Sequence, residues 1–235
     1  MTTLSISCTL NTFFTKEDLV RFLASGSNIV VAKPSEGGPQ GSTPNVAWVV
    51  FRPLESNTMT WTEEYGIYAS NVELKNGALL TQLSRSEFPA LDGKIYEFAP
   101  NGTFGAPSAG GEAGSFSVLN SYDNPPRKYL TFGLCQDATV NGELAEGNAI
   151  SAATVLYQST AVMTPYTTVY LWVQSQVRSN SVLTVVTSPM TKVTFGGTTT
   201  NISLAYDPAT GKFIAKAGTT LADDVALSHK IPMLI

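Results

Sequence analysis

Ile29-Val-Val-Ala-Lys33 has a counterpart 103 residues further on, Phe132-Gly-Leu-Cys-Gln136, and this pair of stretches decides how the fold is read. An 11-residue loop follows each of them, Pro34–Pro44 and Asp137–Gly147, closed by an Asn (Asn45, Asn148) that opens another strand-like run. Upstream, Cys8-Thr-Leu-Asn-Thr-Phe13 lies over Ser117-Val-Leu-Asn-Ser-Tyr122 at a shift of 109. Downstream, Met59-Thr60 corresponds to Met163-Thr164, and Ile95-Tyr-Glu-Phe-Ala-Pro-Asn-Gly-Thr-Phe104 resembles Ile202-Ser-Leu-Ala-Tyr-Asp-Pro-Ala-Thr-Gly-Lys-Phe213. Five matches in one order, at shifts between 102 and 109, point to an internal repeat of roughly 105 residues.

The segments between these matches are short, rich in aromatic and β-branched residues, and bounded by turn chemistry. Asn45–Phe51, Thr58–Trp61, Tyr65–Ser70, Ala78–Leu83 and Lys94–Ala99 read as strands in the first half. Lys128–Gln136, Ala149–Met163, Thr167–Gln174, Val182–Thr187, Lys192–Phe195, Thr200–Tyr206 and Lys212–Lys216 read as strands in the second. Asn76-Gly77, Asn101-Gly102 and Asn141-Gly142 tolerate the positive φ of tight hairpins. The expected fold is therefore all-β, a tandem duplication of a β-sandwich-like unit, with Leu4–Phe104 and Ser115–Phe213 superposing as two similar units that are related by a pseudo-two-fold axis or exchange strands. Its first repeat covers residues 1–104, a Gly/Ala/Ser/Pro-rich connector 105–114, and the second repeat 115–217.

One helix interrupts the strands. Thr15 is a good N-cap with Asp18 three residues on, Leu19, Phe22 and Leu23 form an apolar stripe, and Gly26 supplies the stop. The corresponding Asp123-Asn-Pro-Pro-Arg127 cannot hold a helix of that length. Residues 218–235, with Leu221, Val225, Leu227 and Ile231-Pro-Met-Leu-Ile235, are too apolar for a free tail. They are expected to pack on the body or on a partner subunit, giving a homo-oligomer.

Composition narrows the function. Of the 235 residues, 43% are hydrophobic and only 14% charged, the balance being made up largely by Ser, Thr, Asn, Gly and Pro. The net charge is −4 with no basic stripe, which argues against a nucleic-acid partner. No run approaches the ~20 apolar residues of a spanning helix, and no leader is visible after Met1, so a soluble chain is expected, cytoplasmic or secreted from a longer precursor. Cys8 and Cys135 sit at non-equivalent positions and are expected to be buried free thiols. Asn101-Gly-Thr103 and Asn201-Ile-Ser203 match the glycosylation pattern, which matters only in a secreted chain.

No catalytic signature stands out. His229 is the single histidine, and its neighbours Ser228, Asp223 and Asp224 do not make a triad. Glu63-Glu64 beside Trp61 and Tyr65 resembles a glycosidase carboxylate pair, but strand neighbours point to opposite faces. Asp137, Glu143 and Glu146 could offer calcium hard oxygens, without the spacing of a calcium motif. No metal and no cofactor are expected. Trp48, in phase with Val46 and Val50, is assigned to the core.

The remaining rings suggest a ligand. Trp61 with Tyr65, and Trp172 with Tyr170, lie near corresponding points of the two repeats beside hydroxyl-rich segments, a composition suited to stacking on sugars. The leading expectation is a non-catalytic, lectin-like carbohydrate-binding protein with one site per repeat. A pore-forming or membrane-active toxin ranks second, from the apolar/hydroxyl alternation in Ser181–Asn201, and would make a membrane surface the partner. An enzyme acting on a small molecule through carboxylates ranks third.

Overall fold

A computed structural model describes residues 6–36 and 43–216, so the tail from 217, His229 and most of Pro34–Pro44 lie outside the described residues. In the first half the elements are β1 (Ser7–Phe13), α1 (Lys16–Ser25), β2 (Ser27–Ala32), β3 (Ser35–Glu36), β4 (Val49–Phe51), β5 (Ser56–Thr62), β6 (Gly66–Ser70), β7 (Ser84–Arg85), β8 (Lys94–Phe98) and β9 (Ser108–Ala109). The second half adds β10 (Phe116–Asn120), β11 (Tyr129–Val140), β12 (Glu143–Ala149), β13 (Ala153–Leu156), β14 (Thr160–Pro165), β15 (Thr168–Ser175), β16 (Thr191–Thr194), β17 (Asn201–Asp207) and β18 (Lys212–Ala215). The fold is all-β, as the alternation predicts.

Three sheets surround one large core. The first runs β18-β17-β1-β5-β11-β6-β7, with β12 and β13 also on β11; the second runs β3-β14-β10-β8-β9; the third runs β16-β15-β2-β4. Leu10 and Met59 from the first, Tyr96 and Val118 from the second, and Val31 and Leu171 from the third belong to a single apolar cluster. Period-two alternation places them there: in β5, Asn57, Met59 and Trp61 point in while Ser56, Thr58 and Thr60 face out.

The halves do not pack as two side-by-side sandwiches, because each lends strands to the other. First-half β1 runs parallel to second-half β17, and second-half β10 runs parallel to first-half β8. First-half β2 is paired with β15, and second-half β11 with β6. The exchange is reciprocal. Partners of β1, β2 and β6 (β5, β4 and β7) match those of β10, β11 and β15 (β14, β13 and β16) in the same sense. Even the short β3–β14 contact, Glu36 opposite Thr164, has an analogue in β11–β5, Thr139 opposite Thr60. One register needs correction: Leu10 and Val118 both point inward, a shift of 108, whereas a shift of 109 sets an inward residue on an outward one.

Several local expectations also change. Asp137–Gly147 is a hairpin rather than a loop, turning at Asn141-Gly142 with φ 51° and 90°. Ala149–Met163 divides into β13 and β14, while Ala78–Leu83 and Val182–Thr187 form only isolated bridges, Leu79 with Ser181 and Val46 with Val182. Without a pair of strands there, Ser181–Asn201 does not make the amphipathic hairpin of a barrel-forming toxin in this conformation. The helix is capped as expected: Thr15 Oγ1 accepts from the Asp18 N–H, Asp18 answers the Thr15 N–H, and Gly26 takes φ 64°. Its stripe is narrower than read, since Phe22 is buried but Leu23 is exposed. Leu23, Val20 and Leu54 instead line an apolar groove of about 670 Å³ beside α1. Among the described residues no helix is long and apolar enough to cross a membrane.

Candidate functional site

Lys33 comes directly after the apolar strand β2, which carries its side chain into the core with no exposure. Its ammonium donates to both carboxylate oxygens of Glu63 (3.0 and 2.9 Å), to Tyr65 Oη (3.2 Å) and to Gln136 Oε1 (3.1 Å). Trp61 Nε1 donates to Glu63 Oε1 (2.6 Å), and the Tyr65 hydroxyl donates to Glu63 Oε2. The ammonium also lies 5.2–5.8 Å from the ring centroids of Trp48, Trp61 and Tyr65.

The backbone explains why a charge pair can sit here. Strands β5 and β11 are paired only at Thr60–Thr139 and Met59–Val140; beyond that β11 leaves for β6, where Cys135 faces Gly66. The register of β11 against β12 shifts at this fork, between Gln136 and Ala138. Gln136 spans the inside of the fork, its Nε2 donating to Thr62 O at 2.7 Å and its backbone oxygen accepting from Trp48 Nε1 at 3.1 Å. Glu63 follows β5 and turns into the gap, its side chain only 10% exposed.

Burial sets the electrostatics. Desolvation lowers the Lys33 amine from its ordinary 10.5, opposed by the Glu63 charge. Desolvation, then the same carboxylate, pushes the Tyr65 hydroxyl up. Cys8, whose Sγ is 3.9 Å from Glu63 Oε1, is raised to about 11 for the same reasons in the same order. A buried ion pair of this kind contributes little stability over apolar packing, so its presence calls for a chemical explanation.

Outside the fork lies a cleft of about 240 Å³. Ser7, Thr60, Thr62 and Thr139 bring hydroxyls to it, Glu64 and Asp137 carboxylates, and Trp61, Phe88 and Leu144 apolar surface. Glu63 and Glu64 thus serve opposite sides of the bend that follows β5: one faces Lys33 in the core, the other lines the cleft.

The rings expected to bind ligand are placed differently from the sequence reading. Trp61 is 4% exposed, Tyr65 7% and Trp172 0%, so none offers an open face for stacking. Trp172 packs with Val30, Ala47 and Leu183, its Nε1 donating to Gln174 Oε1; Tyr170 rests half-buried against the same cluster. Trp61 is among the residues that line the cleft at the fork. Trp48 is core, as assigned. Asp137 Oδ1 accepts from the Gly147 N–H and Glu146 pairs with Arg85, so two of the three candidate calcium ligands have partners of their own. Among the described residues no group of three His, Cys, Asp or Glu side chains is gathered for a metal. Cys8 and Cys135 are free and buried, as expected.

Lys33 and Gln136 were not singled out as site residues in the sequence. The signal was present: they are the paired last residues of the two stretches 103 apart, and in the fold they meet. Comparison of the chain with known protein families, with curated proteins and with solved structures finds no match.

Proposed function

We propose that the protein is a non-catalytic, lectin-like binder of carbohydrate, with the cleft between β1, β5 and β11 as its site. The observation that carries this reading is the cleft's lining: four hydroxyls and two carboxylates around a patch of ring and aliphatic surface. Sugar hydroxyls need donors and acceptors in several directions, and the apolar face of a sugar ring needs surface to rest on. Its volume, about 240 Å³, lies just under the ~300 Å³ at which pockets for drug-sized ligands begin. That suits one sugar unit at the end of a larger glycan. With Trp61 and Trp172 both buried, the reading rests on the lining of this one cleft rather than on an exposed ring in each repeat.

A glycan array followed by titration of the best ligand tests the reading. Thr139→Ala and Glu64→Gln should each weaken binding roughly tenfold, the cost of about one hydrogen bond, without changing the melting temperature. Absence of any glycan bound at millimolar concentration, together with dye leakage from liposomes, would favour the membrane-active reading instead.

A further inference from the structure

The Lys33 amine has no access to solvent, so whatever it reacts with must already be inside the fold. Two acyl groups touch it, the Glu63 carboxylate and the Gln136 carboxamide. Glu63 accepts hydrogen bonds on both oxygens, from Lys33, Trp61 and Tyr65; a carboxylate is a poor acyl electrophile, and this one lies within reach of the amine's protons. Gln136 is neutral, its carbonyl oxygen polarised by the Lys33 amine at 3.1 Å and its Nε2 anchored on Thr62 O, one residue from the base. We propose that Lys33 and Gln136 join in an autocatalytic amide cross-link, with Glu63 carrying the protons.

The step balances within the site. Glu63 takes a proton from the Lys33 ammonium, freeing the lone pair of Nζ. Nζ attacks Gln136 Cδ, forming the Nζ–Cδ bond. Glu63 delivers a proton to Nε2 and receives one from Nζ as the Cδ–Nε2 bond breaks. Ammonia leaves, takes the last proton from Glu63 and departs as ammonium, and no oxidant or co-reactant is needed. Burial assists twice, by favouring the neutral amine and by excluding the water that would hydrolyse the acyl group. The product would tie β2 of the third sheet to β11 of the first, at the fork where backbone pairing is interrupted.

The intact mass of the full chain tests this without regard to any ligand, so it stands or falls separately from the cleft. The expected mass is lower than the sequence requires by one ammonia, with a branched proteolytic peptide joining Lys33 to Gln136. Glu63→Gln and Lys33→Arg, checked for folding by circular dichroism, should restore the unreacted mass. A wild-type chain at full mass after prolonged incubation overturns the proposal even if every variant fails to fold. Loss of water in place of ammonia, with a branch at Glu63, overturns the assignment of Gln136.

Discussion

Lys33, Glu63, Tyr65 and Cys8 show how a single side chain's surroundings set its chemistry. The two thiols make this measurable. In the folded chain they hold their protons past the ordinary 9.0, to about 11 at Cys8 and about 12 at Cys135, mainly through burial. An acid held protonated by folding stabilises the fold fully below its unfolded pKa, and that contribution is lost as pH rises through the folded value. Lys33 acts in the opposite sense, its amine being less readily protonated folded than unfolded below 10.5. Unfolding free energies from urea titration at pH 8 and pH 10.5 should therefore fall more for wild type than for Cys8→Ala. Equal falls in the two proteins would show that the Cys8 thiol does not carry this dependence.

Among the elements, β11 does the most positioning, since it meets β5, β6, β12 and β13 in turn. Its passage depends on Gly133, where an added Cβ would lie 1.9 Å from Ser151 O and 2.7 Å from the Tyr68 ring. Neither neighbour can yield easily. Ser151 Oγ accepts from the Leu134 N–H, and its carbonyl accepts from the Tyr68 hydroxyl and lies against the strand. Gly133→Ala should destabilise the protein by about 3 kcal/mol or more, the upper end of overpacking costs, measured by urea denaturation. A loss under about 1 kcal/mol would mean that the strand can shift away, and that the fork geometry is looser than described.

For the molecule as a whole, reciprocal strand exchange replaces independent halves. Two self-contained sandwiches joined at residues 105–114 would unfold separately, each around its own core. Here one apolar cluster takes residues from both halves, and sheet pairings cross between them throughout. Fluorescence of the tryptophans, all in the buried interior, and far-ultraviolet dichroism should report one coincident unfolding transition. Two resolved transitions would contradict the shared core.

The strands themselves were legible in the chain because they depend on local features. Alternation placed β5, β8 and β17; Asn141-Gly142 placed a hairpin turn; Thr15, Asp18 and Gly26 placed α1. The 103-residue correspondence of Lys33 and Gln136 was equally visible. What the chain could not reveal is which strand pairs with which, because a hydrogen-bonding edge accepts a partner from either half and the alternation is the same in both cases. Leu23 and Trp172 show the consequence: periodicity marks an apolar or aromatic position, but neighbours distant in sequence decide whether it ends up buried. The ion pair of Lys33 and Glu63 is the clearest instance. Lys and Glu are normally solvated, and only the divergence of β5 from β11 creates a dry space in which these two must meet.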